Sequence, residues 1–201
     1  MKRSENTIVK VASVKLPTSF GTFKVIIFKG IKDKLEHVVL LKGENFKNPV
    51  LTRIHSSCLT GDVFSSLKCD CRDQLAASLT KIGKSKNGLL IYLNQEGRGI
   101  GLINKIKAYA LQEKGYDTVA ANEQLGFAAD TRNYNIAAQI LKDLNIDHIL
   151  LLTNNPDKVT QLKQSGITVV KAIPLEITPN NKNRSYLKTK KDRLGHKLSL
   201  V

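Results

Sequence analysis

A chain of 201 residues and 22.3 kDa has room for one substantial core, and 41% hydrophobic residues exclude general disorder. No apolar run reaches the length of a bilayer span, and the basic start Met1–Asn6 is followed by Lys10 and Lys15 rather than an apolar signal core, so a cytoplasmic protein is expected. The 32 Lys and Arg against 17 Asp and Glu give +15 and a pI near 9.8, which favours anionic partners without separating a nucleic-acid binder from a nucleotide enzyme.

The first fifty residues read as β-structure. Short apolar or β-branched runs at 8–15, 22–28, 37–41 and 50–54 are separated by Pro17, Gly21, Gly30, Gly43 and Asn48-Pro49. Beyond residue 71 the texture changes to alternating helices and strands. Leu75, Leu79 and Ile82 share one helical face across 72–84, and 88–93 is a continuous apolar run suited to a buried strand. Leu102, Ile106, Tyr109 and Ala110 form one stripe of a helix that stops at Gly115. A helix over 133–144 carrying Ile136, Ile140 and Leu144, a strand at 148–152, a helix at 156–164 and a strand at 167–172 follow. Nothing repeats and no linker is evident, so a single domain over 1–201 is expected, with a basic tail from about 179 forming a loop and a short helix. Antiparallel strands followed by βα units predict an α/β fold of mixed α+β character, a three-layer α/β/α arrangement on a mixed β-sheet.

All three cysteines, Cys58, Cys69 and Cys71, crowd into one short segment. Three thiolates are three soft ligands for a tetrahedral zinc ion: a structural site closes with a fourth protein ligand, whereas a catalytic one leaves that place to water. Core packing is the bland alternative, but Cys69 and Cys71 flank Asp70 among Lys68, Arg72 and Asp73. A disulfide would strand the third thiol. His55, three residues before Cys58, offers a fourth ligand, so the spacing leaves two alternatives: an open site of three thiolates, or one closed by the histidine.

Two strand-to-helix junctions suit anions. In Asn94-Gln95-Glu96-Gly97-Arg98-Gly99-Ile100-Gly101 the glycines permit close backbone approach, although the pattern is neither a dinucleotide fingerprint nor a P-loop and a tight turn alone would account for it. In Thr153-Asn154-Asn155-Pro156-Asp157-Lys158, Asn155 reads as an N-cap and Pro156 as the first helical residue. Lys158 is unfavourable against the helix dipole unless it serves a ligand. Asp130-Thr131-Arg132 precedes the helix at 133, where Asp130 or Thr131 would cap it and Arg132 would be solvated.

Together these segments closely resemble GTP cyclohydrolase II. The resemblance rests on Arg53–Asp62, Ser66–Cys71 with Gln74, Gln95–Gly101 with Asn104-Lys105, Tyr109–Gln112, Lys114–Val119, Leu125–Asp130 with Arg132, Leu151–Pro156 with Lys158, and Gly195-His196. It implies that Cys58, Cys69 and Cys71 bind a catalytic zinc ion with water as the fourth ligand. It implies GTP as substrate, magnesium with its phosphates, and a hydrolysis that opens the guanine imidazole ring, releasing formate and pyrophosphate in the first step of riboflavin biosynthesis. By the same resemblance Asp130 is the proton acceptor and Arg132 the nucleophile toward the α-phosphorus. GTP contacts fall to Arg53, Ile54, His55, Ser56, Ser57, Gln74, Glu96, Gly97, Arg98, Thr118, Thr153 and Lys158. A homodimer is implied, with no nucleic acid and no membrane.

Physical chemistry supports part of this and questions one role. Glu96 or Asp130 suits proton transfer by type. A guanidinium stays protonated, so stabilising the leaving pyrophosphate is the more conservative task for Arg132. Ser57 stands where the family commonly has Glu, which raises a paralogue that stops at a formamidopyrimidine product as the alternative. Tyr109 matches members that complete both hydrolyses. A basic zinc-stabilised nucleic-acid-binding module is the rival from another class, but only 5% aromatic residues and no Trp leave little for base stacking. Only about a dozen residues precede the matching stretches, so a standalone cyclohydrolase is expected, without the dihydroxybutanone phosphate synthase many relatives carry.

Overall fold

The fold was analysed in a computed structural model that describes residues 7–44, 46 and 49–201; the Met1–Asn6 segment and Asn48 of the expected Asn48-Pro49 turn lie outside the described residues. Seven strands, β1 (Ile8–Thr18), β2 (Gly21–Gly30), β3 (Glu36–Lys42), β4 (Val50–Ser56), β5 (Gly88–Leu93), β6 (His148–Leu152) and β7 (Thr168–Ile173), form one mixed sheet. Its order is β1-β2-β3-β5-β4-β6-β7, antiparallel from β1 to β5 and parallel from β5 through β4 and β6 to β7. The first strand runs through Pro17, paired with Thr22, because an edge strand can dispense with one N–H.

Among the described residues the helices are α1 (Leu59–Asp62), α2 (Cys71–Lys84), α3 (Gly101–Glu113), α4 (Thr118–Gln124), α5 (Asn135–Asp143), α6 (Pro156–Gln164) and α7 (Arg184–Leu194), with a 3-10 turn at Glu96–Gly99. One sheet face packs Phe23, Leu90 and Leu152 against Ile82, Leu75 and Leu79 of α2. The other packs Ile54, Ile91 and Leu151 against Ile140, Leu141 and Leu162 of α5 and α6. The predicted three-layer α/β/α architecture is therefore observed, and the apolar faces read for 72–84 and 133–144 are the ones buried. No helix among the described residues is long and apolar enough to cross a membrane.

Two expectations are corrected and one further helix is found. The stripe on α3 is not a core face: Leu102, Ile103 and Ile106 are exposed, and the helix instead buries Lys105 and Ala108. The reason is that α3 lines a cavity rather than the sheet, so its inward side is polar. Helix α5 begins at Asn135, and neither Asp130 nor Thr131 caps it; Asp130 holds Arg132, and Thr131 Oγ1 donates to the Arg98 carbonyl at 2.7 Å. Helix α4 was not anticipated because it is too short to show a period. Its cap is nonetheless ordinary, with Asp117 Oδ1 accepting the Val119 and Ala120 N–H groups at 2.8 Å each.

The β1–β2 turn is seated on α2 through Gly83, where an added Cβ would run into the Phe20 carbonyl oxygen. Gly83→Ala gains helix propensity worth about 1 kcal/mol, but the backbone clash outweighs it. Urea unfolding should report a net loss of about 1–3 kcal/mol; unchanged or raised stability would contradict this packing.

Candidate active site

Three parallel strands end at one place. The chain leaves β4 into Ser57 and Cys58, β5 into the turn at 94–101, and β6 into Thr153–Lys158; ligands of open α/β sheets bind at such carboxyl ends. The residues past these ends, with parts of α2, α3, α4 and the C-terminal segment, line one cavity.

Cys58 precedes α1, Cys71 opens α2, and Cys69 lies between them, so two helix starts draw the thiols together. Their sulfurs lie within 4.8 Å of one another, Cys58 and Cys69 at 3.8 Å. Gly61 makes room: a Cβ there would sit 2.8 Å from Cys69 Sγ and 3.1 Å from Cys58 Sγ. His55 does not join them. Its Nε2–H donates to the Asp62 carboxylate at 3.1 Å, Asp62 also accepts the Cys58 N–H at 3.1 Å and the Tyr92 hydroxyl at 2.8 Å, and Tyr92 stacks on the His55 ring. Of the two sequence alternatives the structure favours the open one, since no fourth His, Cys, Asp or Glu donor joins the group among the described residues. Three converging soft sulfurs in a cradle that a methyl group would fill fit a zinc ion.

Charge in the cluster is divided unevenly. Hydrogen bonds from Cys69 and Cys71, with Lys105 adding to them, hold the Cys58 thiol far below its usual range against the cost of burial. The hydrogen bond to Cys58, with burial, pushes Cys69 up to about 11, and Cys58 and Cys69 push Cys71 up. A metal ion would displace the protons retained on these two. Lys105 Nζ lies 3.1 Å from Cys58 Sγ and 2.8 Å from Glu96 Oε1. Glu96 is fully engaged, because Oε1 also accepts the Gly97 N–H at 2.9 Å and Oε2 the Leu59 N–H at 2.6 Å. It braces the turn at 94–101 against α1, and Asp130, the other carboxylate named for proton transfer, is likewise engaged, by Arg132.

That turn owes its shape to left-handed backbone at Gly97, Arg98 and Gly99. Arg98 has φ 63° without being glycine, and a Cβ on Gly99 would meet Thr131 Oγ1 at 2.5 Å. The turn therefore locks onto the Asp130–Arg132 segment. Arg132 clasps Asp130 through Nε at 2.9 and 3.0 Å and through Nη2. Burial raises the Asp130 carboxyl, but Arg132 outweighs it and brings it below the usual range.

The remaining cations are largely buried and held by one or two acceptors each. Arg53 donates to the Leu152 carbonyl at 2.9 Å and to Gln74 Oε1 at 2.6 Å, while its Nε is buried without a partner among the described residues. Lys158 donates to the Ile54 carbonyl at 2.6 Å; burial, then Arg53 and Arg132, depress its pKa well below the usual lysine value. Lys190, arriving from α7, pairs with Asp70 at 2.9 Å. His196 lies among Lys190, Arg132, Lys158 and Arg98, and burial with these four charges depresses it to about 3. A neutral histidine ringed by cations marks a strongly positive cavity, suited to a polyanion.

The sequence candidates mostly meet here. Ser56, Ser57, Thr118 and Thr153 line the cavity with those already described. Ser57 Oγ accepts the Gln95 N–H at 3.2 Å, Thr153 Oγ1 accepts the Asn155 N–H at 3.1 Å, and Asn155 caps α6 as expected. Ile54 does not line it: its side chain is in the core and its carbonyl is bound by Lys158. Asp130 reaches the cavity through Arg132 alone. Sequence reasoning gave no site role to Asp62, Asp70, Lys105, Tyr186, Lys190 or His196. Lys105 left one signal, its place in the matching Asn104-Lys105 pair, which by itself assigns no role.

A family model described as GTP cyclohydrolase II matches residues 9–174. The chain is 50% identical over 202 residues to the riboflavin biosynthesis protein RibBA of Endomicrobium trichonymphae, covering 100% of this chain and 50% of that protein. It is 50% identical over 200 residues to the protein of the same name from Bacillus cereus (strain AH187), covering 99% and 50%. The chain thus spans about half the length of these curated relatives. The crystal structure of RibBX, a two domain 3,4-dihydroxy-2-butanone 4-phosphate synthase from A. baumannii, superposes with a TM-score of 0.41 at 22% identity, covering 74% of this chain and 35% of that one.

Gly61→Ala should leave the circular dichroism spectrum unchanged yet lower the zinc retained after dialysis, because the new methyl group occupies the space between the sulfurs. Full zinc stoichiometry in this variant would contradict the cradle.

Proposed function

The chain belongs to the GTP cyclohydrolase II family, and we propose that it hydrolyses GTP, opening the guanine imidazole ring and releasing formate and pyrophosphate in the first step of riboflavin biosynthesis. The observation that carries this reading is the meeting, in one cavity, of a three-thiol cluster with a set of buried cations around His196. Neither feature alone distinguishes a hydrolase from a zinc-stabilised binding module. Their adjacency fits a substrate that is a purine at one end and a triphosphate at the other.

Cys58, Cys69 and Cys71 would hold the zinc ion. Zinc at such a site acts as a Lewis acid and brings the pKa of water from 15.7 to about 7. Tyr109 lies beside the cluster, its hydroxyl 3.4 Å from Thr60 Oγ1 and its ring 5.0 Å from Lys68 Nζ. Burial pushes its phenol up to about 12, so at neutral pH it stays protonated and can donate a hydrogen bond. His55 presents Nδ1 as a buried acceptor without a partner among the described residues, available to a guanine N–H. Ser57, already accepting the Gln95 N–H, has less to offer the base than the family's usual carboxylate.

At the phosphate end, Arg53, Arg98, Arg132 and Lys158 would bind the triphosphate, with magnesium entering on it. Burial opposes the charge of Arg132, but Tyr134 and Asp130 outweigh it and raise its pKa. It therefore serves as a fixed cation stabilising the departing pyrophosphate rather than as a nucleophile, and Asp130 holds it in place besides accepting protons. We propose a homodimer as well. Exposed Val63, Phe64 and Leu67 before α2, with Ile103 and Ile106 on α3, offer an apolar surface for it.

Purified protein with GTP and magnesium should release formate and pyrophosphate, and a zinc chelator or Cys69→Ser should stop formate release. Formate from the chelated protein would remove the metal from the reaction; ring opening without formate would favour the paralogue that stops early. Arg132→Ala should lower kcat by about 100- to 1,000-fold, as expected for one lost charge stabiliser, with Arg132→Lys partly restoring it.

Binding is also linked to protons. Lys158 and His196 sit below their usual pKa values in the free site, and a bound polyanion favours their charged forms. GTP binding should therefore take up protons near neutral pH. Calorimetry in buffers of different ionisation enthalpy reads the sign, and proton release would contradict it.

A further inference from the structure

The C-terminal segment lies beyond the stretch matched by the family model, which ends at residue 174, yet it forms one wall of the cavity. Its placement is specified in detail. Asn154, in the loop after β6, exchanges two side-chain hydrogen bonds with the backbone of Leu175, at 2.8 and 2.7 Å, and its carbonyl accepts the Lys197 N–H at 2.9 Å. Asn180 and Asn183 close a turn on each other before α7, with Asn183 buried, and Leu187 is buried on the helix itself. Arg193 binds Asp117 at 2.8 Å, fastening α7 to the start of α4. At the far end Gly195 takes the left-handed conformation that ends the helix and turns His196 back to donate its N–H to the Lys190 carbonyl at 3.1 Å.

This anchoring delivers Tyr186, Lys190 and His196 to the cavity. The Lys190 side chain is 11% exposed and pairs with Asp70, which is 2% exposed and lies between Cys69 and Cys71 in the chain. Tyr186 lies beneath two cations, with Lys190 Nζ 4.4 Å and the Arg98 guanidinium 5.6 Å from its ring centre. Arg98 Nη2 is buried without a partner among the described residues. Arg53, Arg98, Arg132 and Lys190 set against Asp70 and Asp130 give four cations and two carboxylates, an excess of two before Lys158 and His196 take up protons. Lys190 has a single carboxylate partner and two further ammonium hydrogens, so it can keep Asp70 and still donate to a phosphate oxygen.

We infer that α7 is part of the substrate site: Lys190 is a phosphate-binding residue for the triphosphate end of the substrate, and Tyr186 is the platform that positions Lys190 beside Arg98. The inference rests on the proposed function for the identity of its ligand. Its physical claim is narrower, namely that the tail supplies a cation to the polyanion and does more than neutralise Asp70.

The test must separate ligand binding from pairing with Asp70, because removing Lys190 alone leaves a buried carboxylate without its partner. Two variants of the full chain do this: Lys190→Met, which keeps the stem over Tyr186, and the double variant Asp70→Asn with Lys190→Met, which removes the ion pair as a unit. Both should raise KM for GTP by about 10- to 100-fold, the loss of one charge-assisted hydrogen bond, and weaken inhibition by inorganic pyrophosphate in proportion. Inhibition by guanosine should be unchanged in both, and Lys190→Arg should keep KM within about threefold of the parent. Recovery of the parent's KM and pyrophosphate affinity in the double variant would overturn the inference, since Lys190 would then serve Asp70 alone. If the parent turns over no GTP, the functional reading fails separately. Calorimetric binding of pyrophosphate to the parent and to the double variant then still decides the role of the tail, equal affinities overturning it.

Discussion

Several cations share one cavity in this molecule, and a buried charge is tolerated only when it is paired or hydrogen-bonded. Four of them are given a specific acceptor, Arg53 the Leu152 carbonyl and Gln74, Lys158 the Ile54 carbonyl, Arg132 the Asp130 carboxylate and Lys190 the Asp70 carboxylate, while Arg98 lies over the Tyr186 ring. Those acceptors come from four different parts of the chain. The cavity therefore holds its charge only when strands, loops and tail are all in place, and Arg53 Nε and Arg98 Nη2 are left without a partner among the described residues. Lys105 follows the same logic at the other end, where Glu96 and the Cys58 sulfur share it.

The sheet order makes such a convergence possible. Placing β4 between β5 and β6 brings Cys58, the turn at 94–101 and the Thr153–Lys158 junction to one edge, although they are far apart in sequence. The core that supports them is ordinary aliphatic packing on both faces, with Ile54 buried at the centre of one face while its carbonyl anchors Lys158. One strand thus serves stability with its side chains and the site with its backbone and its end.

Rigidity in the site comes from acceptors used more than once. Asp62 receives His55, Cys58 N–H and Tyr92, and Glu96 receives Lys105, Gly97 N–H and Leu59 N–H. Asp62 ties strands β4 and β5 to α1 and Glu96 ties the turn at 94–101 to it, so the thiol cluster is framed from two sides. Such frames cost desolvation, and strained backbone at Arg98 adds to it. They hold the sulfurs and the cations in a fixed relation before any ligand arrives, which is the form of preorganisation that electrostatic catalysis needs.

By itself the sequence determined the layers and the chemistry types. The apolar faces at 72–84 and 133–144, the buried strand at 88–93 and the cap at Asn155 are local patterns, and local patterns persist in the fold. The three cysteines were legible because spacing and residue type alone make a soft ligand set. What only the tertiary structure decided was partnership. Whether His55 faces the sulfurs or Asp62, whether Glu96 is free or engaged, and whether Lys190 is a solvated tail charge or a cavity wall depend on residues distant in the chain. Periodicity misassigned α3 for the same reason: a helix that lines a polar cavity buries a lysine and exposes its isoleucines, and no local rule records what a helix faces.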